Sequence, residues 1–177
     1  MKKSLFQEIE IPHGVEVDIT RGLVKVKGKE GEINRKFKLG KVLLEKKDGK
    51  IIIGYKKSSK KEKKTMNSIT AHIRNMIKGV QEKFEYKLKV CFSHFPISVD
   101  IKGKEAIVKN FLGEKVPRKV TIPEGVEIKV DRDIITINSM NKESAGQAAA
   151  NFETITRIRA RDRRIFQDGI WITSKSG

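Results

Sequence analysis

The chain has 177 residues, 37% of them hydrophobic, and its 39 basic and 22 acidic side chains give a formal net charge of +17. That apolar content is enough for one domain or two small ones and excludes wholesale disorder, while the charge calls for a polyanionic partner, nucleic acid before membrane. No window approaches the roughly 18 consecutive apolar residues of a spanning helix, the first residues carry no apolar leader run, and the lone Cys91 excludes an internal disulfide and fits a reducing cytoplasm.

In chain order, short β-branched runs separated by Gly, Pro or Asp-Gly predict strands over 9–11, 15–19, 23–26, 42–45 and 51–55. Gly28-Lys29-Glu30-Gly31 is too short for a dinucleotide fingerprint and reads as a turn opening onto a strand. Lys47-Asp48-Gly49-Lys50 predicts a hairpin turn. From Lys46 to Lys64 there are nine lysines against Asp48 and Glu62, with no apolar periodicity after Tyr55, so the stretch reads as an exposed lysine-rich loop. Met66, Ile69, Ile73, Met76 and Val80 then fall on one helical face, with Gly79 as its stop. Strands return over 86–92, 97–101, 106–109, 120–122, 126–130 and 134–137. A second helix follows Asn141, a predicted N-cap, and buries Ala145, Ala148, Phe152 and Ile155.

This order of elements repeats. Val17-Asp18-Ile19 matches Val99-Asp100-Ile101 and Gly31-Glu32 matches Gly113-Glu114, both 82 residues apart. Arg35-Lys36 matches Arg118-Lys119 at 83, and Val42, Ile51 and Ile53 match Val126, Ile135 and Ile137 at 84. Ile11-Pro12-His13-Gly14 also resembles Ile122-Pro123-Glu124-Gly125, but at 111 residues, which reads as a reused strand–turn–strand phrase. The expected fold is α+β: two tandem duplicated domains, 1–81 and 82–177, each an antiparallel sheet with a helix packed on one face. The helical stripes are then core positions and not a cofactor box.

Catalytic constellations are not found. His13, His72 and His94 lie far apart, and a single cysteine makes a zinc site a poor reading. Cys91 reads as a core thiol, and Asp162 and Asp168 as local partners of nearby guanidinium groups. Those guanidinium groups are the chain's most specific feature. Of 39 basic residues only 10 are arginine, yet Arg157, Arg159, Arg161, Arg163 and Arg164 crowd into eight positions. A lysine-biased chain that switches to arginine at one place is using the planar, bidentate fork, which grips phosphate and base edges and stacks on bases. The competing reading is continuation of the second helix, with Ile155 and Ile158 packed and the arginines solvated. Bulk charge pulls the other way, since residues 1–81 carry 21 basic and 9 acidic groups (+12) while residues 82–177 carry 18 and 13 (+5).

Five segments resemble one family. Arg161-Asp162-Arg163-Arg164-Ile165-Phe166-Gln167-Asp168-Gly169-Ile170-Trp171-Ile172, Asn110-Phe111-Leu112-Gly113-Glu114-Lys115, Ser93-His94-Phe95-Pro96-Ile97, the helix end Ile73–Val80 and Gly146-Gln147-Ala148-Ala149 are similar, in order, to the archaeal and eukaryotic form of the sixth protein of the large ribosomal subunit. The resemblance implies two duplicated α+β domains and binding of large-subunit ribosomal RNA, chiefly by the second domain, near the sarcin–ricin loop and the base of the stalk where translation factors dock. It also implies no catalytic activity, no cofactor, no small-molecule substrate and no membrane, with neighbouring ribosomal proteins as further partners and the cytoplasm as location. The candidate RNA contacts are the five arginines with Lys115, Arg118, Lys142 and Gln147. A free-standing nucleic-acid-binding or RNA chaperone module is the rival reading, since it would carry the same charge without needing all five segments.

Overall fold

A computed structural model describes residues 3–47 and 49–176. The chain divides into two compact units, Met1–Lys83 and Phe84–Gly177. The division falls two residues beyond the expected one, after the short link between the end of the first helix at Gln81 and the next strand at Phe84.

The first unit contains β1 (Lys3–Glu10), β2 (Glu16–Thr20), β3 (Leu23–Gly28), β4 (Gly31–Lys36), β5 (Leu43–Lys47), β6 (Lys50–Ser58) and α1 (Lys60–Gln81). Its strands form two antiparallel sheets, β1-β6-β5 and β2-β3-β4. Alternation buries Val24 and Val26 of β3 and Ile51 and Ile53 of β6, and α1 lays Met66, Ile69, Ile73 and Val80 over them. All five predicted stripe residues of α1 are buried.

Two expectations fail in this unit. The lysine-rich stretch is not a loop: it forms the end of β5, all of β6 and the first turn of α1. Asp48, at the predicted hairpin turn, lies outside the described residues, while β5 and β6 pair on either side of it. The lysines cluster because the end of edge strand β5, the two ends of central strand β6 and a helix start are solvated surfaces. Ser59 caps α1, accepting from the Lys61 N–H, while the Glu62 carboxylate accepts from the Ser59 N–H at 2.9 Å. Gly79 does not stop the helix but lies buried within it. Strand β4 has no counterpart among the predicted strand ranges, but the turn at Gly28–Gly31 opens onto it as expected.

Gly28 marks a close approach between β3 and α1. A Cβ there would lie 2.8 Å from both Cγ2 and the carbonyl oxygen of Val80. Gly28→Ala is therefore expected to destabilise the first unit by about 1–3 kcal/mol, read as a lowered urea midpoint. An unchanged midpoint would show that α1 shifts freely.

The second unit runs through β7 (Phe84–Cys91), β8 (Ser98–Lys102), β9 (Glu105–Lys109), a 3-10 turn at Phe111–Gly113, β10 (Arg118–Thr121), β11 (Glu127–Asp131), β12 (Ile134–Ser139), α2 (Lys142–Ile155) and β13 (Gly169–Lys175). Its sheets are β11-β12-β7-β13 and β10-β9-β8, all antiparallel. Apart from β13, the pairing repeats that of the first unit: β7 and β11 flank β12 as β1 and β5 flank β6. The repeat near 82 residues is thus the duplication, and the 111-residue match joins turns at non-equivalent places. Phe84, Tyr86, Leu88 and Val90 alternate inward from β7, and Ala145, Ala148, Ala149 and Phe152 of α2 close on them. Asn141 caps α2, its side chain accepting from the Glu143 N–H at 3.0 Å. Strand β13 was also unanticipated, and it helps to hold the arginines.

Candidate nucleic-acid interface

Helix α2 ends at Ile155, so the arginines do not continue it. Thr156 at the cap is buried; its hydroxyl donates to the Phe152 carbonyl and accepts from the Ile170 N–H, both at 3.0 Å. The Glu153 carboxylate accepts from the Ile172 N–H, also at 3.0 Å. The end of α2 is thereby tied to β13, and residues 157–168 form a loop fixed at both ends. Inside it Ile158 is buried and Phe166 packs against the core. Ala160 adopts a left-handed conformation (φ +54°), and the Asp162 carbonyl accepts from the Ile165 and Phe166 N–H groups. With the apolar side chains inward and the backbone turned, all five arginines are exposed.

They are not equivalent. Arg164 donates to the Asp162 carboxylate at 2.7 Å, which holds that carboxyl below its ordinary range. Arg161 stacks over Phe166, its guanidinium carbon 4.8 Å from the ring centre. Arg157, Arg159 and Arg163 have no side-chain partner among the described residues, so their forks are free for a ligand.

Beside the loop is a cleft of about 700 Å³ whose lining includes Phe92, Arg157, Arg163, Phe166, Asp168 and Trp171. Phe92 and Trp171 are 42% and 47% exposed, too much for core aromatics. Cys91 also lines it, half-buried at the end of β7, and is not the core thiol expected. Asp168 does not pair with a guanidinium group as expected; it is buried, and its Oδ2 accepts from the Ser93 N–H at 3.2 Å. Guanidinium forks next to exposed aromatic rings are the chemistry that grips single-stranded or looped nucleic acid. Composition did not reveal the aromatics: Ile170, Trp171 and Ile172 are all apolar in the sequence, and only the strand's alternation in the fold turns Trp171 outward.

The other expected contacts lie elsewhere on the unit. Lys115 is exposed and unpaired among the described residues. Lys142 is half-buried, its ammonium 5.5 Å from the Phe84 ring centre, and Gln147 donates to Asn151 at 2.8 Å. Arg118 is engaged internally. It donates to Glu114 (2.7 Å from Nε), to the Ile155 carbonyl at the end of α2, and stacks 4.3 Å from the Phe111 ring centre. In this geometry Arg118 braces the arginine loop's root.

Its removal, Arg118→Ala, is expected to cost about 2–3 kcal/mol of stability through lost charged hydrogen bonds and stacking. Arg118 holds the Glu114 carboxyl below its ordinary 4.5. A depressed folded value means stability that is present above the unfolded value and lost as pH falls through the folded one. Wild type should therefore lose stability on acidification below about pH 4.5, and Arg118→Ala should lose less over the same interval. Parallel acid profiles would break the assigned link.

Of the cluster of lysines in the first unit, Lys46 donates to the Val17 carbonyl at 3.0 Å, and Lys50 lies within 3.5 Å of both Glu8 and Glu10. Among the described residues, no group of three His, Cys, Asp or Glu residues is placed to hold a metal ion, and no helix is long and apolar enough to cross a membrane.

The model of the family described as Ribosomal protein L6 matches residues 11–83 and 95–169, one match in each unit. Large ribosomal subunit protein uL6 of Methanocella arvoryzae is 41% identical over 171 residues, covering 96% of this chain and 97% of its own length. The uL6 protein of Methanothrix thermoacetophila is 41% identical over 175 residues, 99% of each chain. That of Methanobrevibacter smithii is 42% identical over 169 residues, 96% of this chain and 95% of its own. With both units matched and the relatives aligned almost end to end, the chain belongs to the ribosomal protein L6 family.

Proposed function

We propose that this chain is a structural constituent of the large ribosomal subunit, working in the cytoplasm, and that it clamps large-subunit ribosomal RNA near the sarcin–ricin loop and the base of the factor-binding stalk. The names of its relatives support the subunit. The observation that supports the RNA contact is the arginine loop: fixed at both ends, carrying three unpaired guanidinium forks, and set beside exposed aromatics. The second unit is the principal contact despite its smaller net charge. Several lysines of the first unit are answered by local acceptors, and exposed lysine acts mainly on the rate of encounter.

The test is binding of the full chain, and of residues 84–177 alone, to protein-free large-subunit RNA across a salt series. Each neutralised phosphate contributes about −0.7 to −0.9 to the log–log slope, so three free arginines predict a slope of about −2 to −3 or steeper. Residues 84–177 should keep most of the affinity. A salt-independent binding constant, or tighter binding by the first unit, would overturn the assignment. Co-sedimentation with large subunits through a salt gradient separates this reading from a free-standing RNA chaperone, which would be shed.

A further inference from the structure

The cleft beside the arginine loop adjoins a second hollow of about 420 Å³, lined by Arg157, Arg159, Arg161 and Arg163 among others. Arg157 and Arg163 line both. One chamber is therefore walled by aromatic rings and the next by guanidinium groups, with two arginines at the boundary. This division matches a nucleotide, whose base is flat and weakly polar and whose phosphate is anionic. The larger chamber has the volume of an ordinary small-ligand site.

The cleft also contains a specific acceptor. Asp168 is only 5% exposed, and one of its oxygens accepts from the Ser93 N–H. Its other oxygen, Oδ1, has no hydrogen bond among the described residues and is not sealed from solvent. A carboxylate only accepts, so a base that meets it must offer N–H donors. Guanine offers two adjacent ones on its Watson–Crick edge, which can meet Oδ1 and the second lone pair of Oδ2 together; adenine and cytosine offer one amino group beside an acceptor, and uracil one N–H between two carbonyl acceptors.

We propose that the cleft seats a single unstacked guanine nucleotide of the bound RNA, its donor edge on Asp168, its face on the aromatic wall, and its phosphate in the arginine-lined hollow. The inference rests on the RNA-binding reading and adds to it a base-selective seat, which phosphate clamping alone does not supply. The guanine is taken to be carried by the RNA and not free, because Arg157 and Arg163 line both hollows and Arg159 and Arg161 extend the guanidinium surface beyond what one phosphate occupies.

Trp171 is the chain's only tryptophan and Cys91 its only cysteine, so both walls report separately. The experiment follows Trp171 emission and the rate of Cys91 alkylation in the full chain, with protein-free large-subunit RNA, GMP and UMP as probes. RNA should quench Trp171 and protect Cys91 at concentrations far below those at which GMP does so, and GMP should outbind UMP. Asp168→Asn keeps an acceptor for the Ser93 N–H but turns an amide donor toward guanine. It should weaken GMP about tenfold, the usual value of one specific base contact, and leave UMP within twofold. RNA that binds with neither reporter moving would overturn the seat and leave the RNA-binding reading standing. Equal GMP and UMP binding, indifferent to Asp168→Asn, would overturn guanine selection. GMP as tight as RNA would make this a free-nucleotide site and overturn the proposal. Failure of RNA to bind at all would remove the underlying reading and the seat with it.

Discussion

Phe152→Ala is expected to cost about 3–5 kcal/mol, the usual range for emptying a fully buried aromatic site. Phe152 is 0% exposed and sits in the core of the second unit with Leu88, Ile135 and Ile137. A small domain has only about 5–15 kcal/mol in total, so this single truncation removes much of its margin. The effect reaches the interface along a short path. The Phe152 carbonyl accepts from the Thr156 hydroxyl, the same hydroxyl accepts from the Ile170 N–H, and Arg157 follows directly. In amide NMR spectra the signals of 84–177 should weaken or collapse first on adding urea, while those of 3–83 persist to higher concentration. RNA binding should be lost with the second set. A loss of stability below 1 kcal/mol would mean that α2 is not held where the structure places it.

The duplication was legible because burial leaves a regular mark. Val17 and Val99, or Ile51 and Ile135, recur at matching places since equivalent strands turn the same positions inward. What escaped was built from residues without that mark. Strand β4, Gly31–Lys36, buries no side chain fully, and its only large aliphatic is Ile33. The lysine stretch misled for the same reason: strand ends and a helix start are polar outside whether or not they are ordered, although the Ser59–Glu62 capping pair does mark the start of α1.

The arginine loop was legible from composition alone, since the switch from lysine to arginine needs no knowledge of the fold. Its neighbours were not. The cleft draws its walls from the end of β7, the end of α2 and the start of β13, and the Ser93–Asp168 hydrogen bond that joins them spans 75 residues. Arg118 shows the converse limit. In the sequence it is one more cation among RNA-binding candidates, whereas in the fold Glu114, the Ile155 carbonyl and Phe111 already occupy it.

Replacing Arg157, Arg159, Arg161, Arg163 and Arg164 by lysine keeps the net charge and is expected to weaken binding to large-subunit RNA by more than tenfold. If the five act only as point charges on phosphate, the swap is close to neutral, because lysine supplies the same charge. If two or more make bidentate or stacking contacts, each should lose on the order of 1 kcal/mol, and the losses combine. The structure divides the set. Arg157, Arg159 and Arg163 are free, so lysine at those three should reproduce most of the loss. Arg164 is held by Asp162 and Arg161 by Phe166, and lysine at those two should act less on affinity and more on the order of the loop. Five lysine-to-arginine changes between Lys46 and Lys64 serve as the reciprocal control and should do little. Because Ile158 and Phe166 carry the loop's packing and stay untouched, the variants should keep the wild-type circular dichroism and melting behaviour. A folded triple-lysine variant that binds RNA and assembles like wild type would show that this locus is a field of charge and not a shaped site.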